Sequence, residues 1–274
     1  MNLSIEHRTS YRYERPVRSS KNEVRMTPVD TPWQHVEATA LMVTPETSHR
    51  VAYRDYYGNV VEYFEVSPSH DALDVVQTAR VHVEARPEPP SSPDVSAEVL
   101  DGTEFLFASP MIVIDAPVAR LAATLRTAEA QTTVRAVLDW IRAEMNYETG
   151  RTVVGTSVAE LLNTRRGVCQ DFAHLSCALL RANEIPARYV SGYFAPRPLE
   201  TGEVVQAQSH AWIEALIPMW GWWAVDPTNH LTASDRHVTV GHGRDYADIV
   251  PFQGVHVGAP EQTLDVSVTI RRER

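Results

Sequence analysis

The sequence is short of cysteine, of lysine and of long apolar runs. Two cysteines, Cys169 and Cys177, stand in 274 residues. If one helix carries both, their separation puts them about 12 Å apart along its axis. A disulfide needs Cα atoms within roughly 7 Å. The two are therefore not expected to pair, as suits a reducing compartment. The uncharged apolar stretch Phe105 to Ile114 is too short to span a bilayer. The first sixteen residues hold no apolar core of a secretory signal. These absences give the expectation of a cytoplasmic protein with no membrane partner. Only one of the 25 basic residues is a lysine, Lys21. Few acceptor lysines would shield an amine-crosslinking enzyme from itself, but an arginine-favouring codon composition explains the bias more simply. The formal net charge of −10, from 35 acids against 25 bases, argues against nucleic acid as a partner. There is no Gly-rich phosphate loop and no dinucleotide fingerprint. His230, His237 and His242 show no paired zinc spacing, so no cofactor and no metal are implied.

What is present reads as a globular chain. With 43% hydrophobic and 22% charged residues it can fold without bulk disorder, and its length buries a core without disulfide or metal. The first third is β: alternation over 2–14 is followed by strands over 17–29, 35–43, 50–57, 59–66 and 75–85, with a hairpin turn at Gly58-Asn59. Arg86 to Pro93, with four prolines, breaks any element and reads as a linker or exposed loop. Helices follow over 117–127 and 133–146. Ser157 to Glu160 has the form of a capping box. The best helix spans 169–183, with Phe172, Leu175, Leu179 and Leu180 on one broad face, stopped before Pro186. Strands are expected over 187–194, 206–217, 222–226 and 264–271. The fold class is α+β: a β-sandwich-like domain over 1–115, then a core over 116–274 of helices packed on an antiparallel sheet.

Three residues carry the chemistry. Cys169 opens the predicted helix behind Gly167 and two arginines, where unsatisfied N–H groups and the helix dipole favour a thiolate. Cys177, two turns on, reads as a buried structural thiol. His210 lies on an alternating strand whose even positions, Gln208, His210, Trp212 and Glu214, face one way, with Ala211, Ile213 and Ala215 facing the core. Asp226 ends the strand Trp222–Asp226. A hairpin centred on Pro218 sets His210 opposite Asp226, a register that one bulge would spoil. Cys169, His210 and Asp226 then form a nucleophile, base and orienting acid. Their order differs from that of caspase-type and papain-like enzymes. The backbone N–H of Cys169 is the natural first oxyanion donor. Tyr147 and Gln170 are candidates for further oxyanion or substrate contacts, and Trp212 is expected to line a substrate groove.

The segments Gly167 to Leu175, Asn183 to Tyr193, Ser209 to Trp212 and Val225 to Asn229 together resemble the bacterial transglutaminase-like superfamily. His7 to Tyr13 with Tyr56 to Asn59 is similar to the β-rich region preceding the core in that family, and Gly243 to Pro251 to its C-terminal portion. The resemblance implies a papain-like core with the cysteine at a helix start against a sheet bearing histidine and aspartate. It also implies acyl transfer through a thioester, with the family divided between hydrolysis of peptide, isopeptide or amide bonds and transfer to amines. Hydrolysis of a protein or peptide substrate is the favoured expectation; the alternatives are amine transfer, or a binding module that keeps the fold. One departure is Ala182-Asn183-Glu184, where relatives are expected to carry glycine; asparagine in the left-handed conformation is expected to serve there. Oligomeric state leaves no mark in the sequence.

Overall fold

A computed structural model describes residues 1–89, 102–149, 156–258 and 261–274. The strands and helices in chain order are β1 (Asn2–Val17), β2 (Ser19–Val24), β3 (Gln34–Thr44), β4 (His49–Arg54), β5 (Val60–Val66), β6 (His70–Val83), α1 (Ala116–Leu125), α2 (Ala130–Glu144), β7 (Asn146–Tyr147), α3 (Val158–Thr164), β8 (Arg166–Gly167), α4 (Cys169–Ala182), β9 (Ala187–Phe194), β10 (Val204–Ala207), β11 (Ser209–Ile217), β12 (Gly221–Asp226), β13 (Leu231–Thr232), β14 (His237–Gly243), β15 (Phe252–Val257) and β16 (Gln262–Arg272).

Period-2 burial builds the N-terminal part. On β1, Leu3, Ile5, His7 and Thr9 turn inward, and β6 pairs with them antiparallel, Leu3 opposite Val81 and Ile5 opposite Ala79. The first sheet runs β10-β16-β1-β6-β3 and the second β15-β2-β5-β4. Tyr13, Leu41, Leu73 and Val75 of the first pack on Val24, Phe64 and Val66 of the second. This is the expected sandwich. The other end of the first sheet carries Leu3, Ile5, Val81 and Ile270 onto Tyr193, Val238 and Val240 of the central sheet. The expected hairpin at Gly58-Asn59 is a five-residue turn: Asp55 Oδ1 accepts from the backbone N–H of Tyr57 and Asn59, and Gly58 sits at φ +80°. Tyr56 and Tyr57 therefore lie in the turn, outside the strand. Within the expected breaker, residues 86–89 are irregular, and Pro90 to Pro93 lie outside the described residues.

The division expected at 115/116 is crossed by three strands. β10 and β16 complete the first sheet and β15 the second. Such long-range pairing leaves no trace in local periodicity. β14 and β15 were not anticipated from the sequence, and 206–217 divides into β10 and β11, which belong to different sheets.

The core sheet runs β13-β12-β11-β9-β14. One face takes the helices. Ala187, Ala211, Ile213 and Ala215 meet Phe172, Leu175, Leu179 and Leu180 of α4, and α1, α2 and α3 wrap α4 from outside through Val118, Val137, Ile141 and Leu161. Each of these larger side chains contributes roughly 1.5–3 kcal/mol when fully buried, so the position of α4 on the sheet is strongly fixed. Ser157 caps α3 by accepting from the Glu160 N–H at 3.2 Å. At the end of α4 the left-handed residue is Glu184 (φ +63°), not Asn183, whose φ is −94°. Glu184 N–H reaches Arg181 O and Ile185 N–H reaches Leu180 O, a Schellman closure. Asn183 is held elsewhere: its side-chain amide donates to Ala122 O at 2.9 Å and ties α4 to α1.

Candidate active site

Cys169 is the first residue of α4, reached through two tight contacts. Asp171 Oδ2 accepts from the Val168 N–H at 2.9 Å, capping the helix. Gly167 lies so close that a Cβ there would sit 2.8 Å from the Asp171 Cβ, so glycine is required for approach. The parallel pair Tyr147 with Gly167 sets Tyr147 beside the cysteine, and its ring meets Phe172 edge-on at 6.2 Å. Cys169 is half-buried, whereas Cys177 is buried within the helical core. Burial pushes the Cys177 thiol up to about 11.

His210 and Asp226 meet across a register different from the expected one. β11 and β12 pair Ile213 with Val225 and Ile217 with Gly221, so the hairpin is centred on Met219 rather than Pro218. Met219 supplies the left-handed turn residue, φ +63°. The ladder stops at Ile213, and its continuation sets Trp212 opposite Asp226. The shift preserves parity, so His210 still shares a face with Asp226 and reaches it along the diagonal. His210 Nε2 lies 2.7 Å from Asp226 Oδ2. With Nε2 engaged, Nδ1 is the ring nitrogen left for the thiol. Burial alone lowers the imidazole pKa, but hydrogen bonds to Asp226 and Cys169 outweigh it and raise His210 to about 9.

Asp226 is fully buried and saturated with donors. Oδ1 accepts from the N–H of Thr228 at 2.9 Å and Asn229 at 3.1 Å. Oδ2 meets His210, the Asn229 amide at 2.7 Å and His237 Nε2 at 3.2 Å. Burial alone would raise its pKa, but the imidazole contacts hold the carboxyl well below the usual range. His237 and Asn229 were not anticipated as site residues. His237 Nδ1 accepts from the Ser234 N–H at 3.1 Å, which fixes the tautomer: Nε2 carries the proton and donates to Asp226. Burial lowers His237 to about 4 and keeps it neutral. Its ring packs on Phe194 at 4.4 Å. The available signal was weak, a histidine opening the alternating run Val238 to Val240 eleven residues after Asp226.

Cys169, His210, Tyr147, Phe194, Gln206, Gln208, Ser209, Thr228 and Asn229 line a cleft of about 570 Å³. Gln170 is half-buried and is not part of the lining. Trp212 does not line the groove as expected. It is fully buried against Val190, Ala224 and Ala233, because this face of β11 is covered rather than open. Gly192 makes room for it: a Cβ there would stand 2.5 Å from the indole. Ligand atoms of His210, Asp226 and His237 lie within 4.8 Å of one another and form the one cluster among the described residues able to hold a metal. Here they are joined by hydrogen bonds, and a cation would have to displace the His237 proton. Among the described residues no helix is long and apolar enough to cross a membrane.

Two family models match the chain. The model of the transglutaminase-like superfamily matches residues 119–227, and that of the bacterial transglutaminase-like N-terminal region matches residues 3–82. The chain is 37% identical over 284 residues to the uncharacterized protein ML0607 of Mycobacterium leprae, with 98% of each chain covered. It is 35% identical over 287 residues to the uncharacterized protein Rv2569c of Mycobacterium tuberculosis, covering 97% of this chain and 91% of that one. A solved structure named "Putative Cysteine Protease", from Cytophaga hutchinsonii, shares the fold with a TM-score of 0.76 at 24% identity, over 97% of this chain and 90% of that one.

Proposed function

The chain belongs to the transglutaminase-like superfamily, and from that premise we propose that it is a cysteine-dependent enzyme hydrolysing a peptide, isopeptide or amide bond through Cys169, His210 and Asp226. The observation that carries the reading is His210 set between two partners: Nε2 lies 2.7 Å from a donor-saturated carboxylate, and the Cys169 thiol is near enough to help raise the imidazole pKa. An imidazole raised to about 9 holds its proton at neutral pH, as an ion pair with a thiolate requires.

The steps follow from that pairing. The Cys169 sulfur attacks the carbonyl carbon, and the C=O electron pair moves onto oxygen, where the Cys169 backbone N–H at the start of α4 can donate. Collapse breaks the C–N bond. The leaving nitrogen takes the proton from His210 Nδ1 and departs as an amine, leaving a thioester. Water then gives a proton to Nδ1 as its oxygen attacks the thioester carbon. Collapse releases the carboxylic acid and returns the thiolate and imidazolium. Asp226 keeps the ring oriented throughout and stays ionised. Exposed Gln206, Gln208 and Ser209 at the cleft wall leave the thioester open to water, which supports hydrolysis over amine transfer. Tyr147, 51% exposed at the same cleft, stands beside the thiol as a candidate second donor to the oxyanion.

The test is single-turnover acylation by a p-nitrophenyl ester, with adducts mapped by mass spectrometry. The expected result is a thioester at Cys169 that decays to the free acid even with a primary amine present. Cys169→Ala should form no adduct while melting like the wild type. An adduct at another residue, or an unchanged burst in Cys169→Ala, contradicts the proposal.

A further inference from the structure

A second cavity, of about 610 Å³, lies between the N-terminal strands and the core sheet and shares no lining residue with the cysteine cleft. Its floor is an unusual charge cluster. Glu214, on the same strand and face as His210, is buried and met by two arginines. Arg86 Nη1 donates to Glu214 Oε1 at 3.2 Å, and Arg188 Nε donates to Oε2 at 2.7 Å with Nη2 at 2.5 Å. Arg86 Nη2 goes to Thr239 Oγ1 at 2.8 Å, and Arg188 Nη1 to His242 Nε2 at 2.9 Å. That last contact occupies the histidine lone pair, and burial holds His242 neutral by lowering it to about 4.

The donors outnumber the acceptors. A guanidinium carries five N–H bonds, so the pair offers ten, against one carboxylate, one hydroxyl and one ring nitrogen. The side chain of Arg86 is only 4% exposed, and its Nε is buried with no partner at all. A buried unpaired donor on a charged group is costly. The cluster sums to one positive charge. At the rim, Arg54 and Asp30 cancel one another, and each already has a partner: Arg54 donates to Gly58 O, and Asp30 meets His35. Above the charges the walls are aromatic: Trp33, Tyr57, Trp220 and Trp222. The Arg188 guanidinium lies 4.2 Å over the Trp222 ring, which joins the aromatic wall directly to the charge cluster.

We propose that this cavity binds a carboxylate-bearing ligand with an aromatic or apolar body, the carboxylate completing the coordination of Arg86 and Arg188 and the body lying among the tryptophans. A single negative charge neutralises the cluster, and the planar forks match a carboxylate. The volume is that of a small organic molecule. Two sources share this chemistry, a free aromatic acid and the C-terminus of a peptide ending in an apolar residue. Fully buried Trp212 separates the cavity from His210 along β11, so occupancy here does not depend on the acyl-transfer reading.

The test is calorimetric titration of the full chain at neutral pH with matched pairs. Indole-3-acetate is compared with indole-3-acetamide, and a short peptide ending in tryptophan with its C-terminal amide. The expected result is that at least one acid binds ten-fold or more tighter than its amide, and the pair showing the difference identifies the source. Arg86→Gln should abolish the preference. Should that variant fail to fold, Trp33→Ala at the half-exposed wall should weaken the same acid at least five-fold. Equal affinity of acid and amide, no binding by either acid, or unchanged binding in a folded Arg86→Gln or Trp33→Ala variant overturns the proposal.

Discussion

Asp226 and Glu214 are two buried carboxylates on one sheet, and the groups around them are wired in opposite senses. Asp226 is saturated: two backbone N–H groups, an amide and two imidazoles all point at it. These donors are spent on the carboxylate, and the far nitrogen of His210 is left for the thiol. Glu214 is outnumbered, with two guanidiniums around one acid and a buried N–H left over. A saturated acid fixes one titratable ring and makes it a tool. An outnumbered acid leaves positive charge that needs a further anion. Burial is common to both; the balance of donors and acceptors separates them.

The sharpest way to break the comparison is Asp226→Asn. The substitution removes the charge that holds imidazolium and reverses one hydrogen-bonding atom, so the ring loses its fixed tautomer. Acylation of Cys169 should fall by roughly 10³–10⁴-fold, the scale of the same change in serine triads. Stopped-flow release of nitrophenolate measures it, and a loss below ten-fold removes Asp226 from the mechanism. At the other acid, Glu214→Gln strands two buried cations. Stability should drop by about 3–5 kcal/mol, read from urea unfolding, and a loss under 1 kcal/mol would mean the arginines are hydrated rather than paired.

The contrast between the two acids was only partly legible in the sequence. The helix start at Cys169, the strand bearing His210 and the strand end at Asp226 follow from local signals: a glycine before an apolar 3.6-residue pattern, an alternating strand and an Asp-Pro stop. The hairpin register was misplaced because the turn pivots on Met219, a residue with no turn preference, yet the error kept parity and so kept the face. Trp212 was read as groove-lining because strand alternation tells one face from the other but not which is covered. His237 arrives from β14, which pairs with β9 rather than with its sequence neighbours. Arg86 meets Glu214 across more than a hundred residues. Contacts of that span have no local signature, and the same reason hid the return of β10, β15 and β16 to the N-terminal sheets.

Two smaller effects sharpen the account of the saturated acid. His237→Phe keeps a ring against Phe194 but deletes the Nε2–H donated to Asp226. Losing one hydrogen bond to a buried charge costs about 1–3 kcal/mol, so acylation should slow by roughly 5–150-fold with little change in ester binding. An unchanged rate would make His237 a packing residue alone. The smallest effect is on stability against pH. His210 has a folded pKa of about 9 against about 6.5 in an unfolded chain. A raised pKa stabilises fully below the unfolded value, and that contribution is lost as pH rises through the folded one. The melting temperature should therefore decline from pH 6.5 to beyond 9, and His210→Ala should lack that component of the decline. Parallel curves for the two proteins would show that His210 holds no extra proton.

The central claim is that Cys169 is an activated nucleophile while Cys177, on the same helix, is packing. Iodoacetamide labelling from pH 5 to 9, read by mass spectrometry at each cysteine, tests it most directly. The account predicts rapid alkylation of Cys169, with Cys177, buried and raised to about 11, remaining unlabelled in the folded protein. Alkylation of Cys169 no faster than that of Cys177 would contradict it.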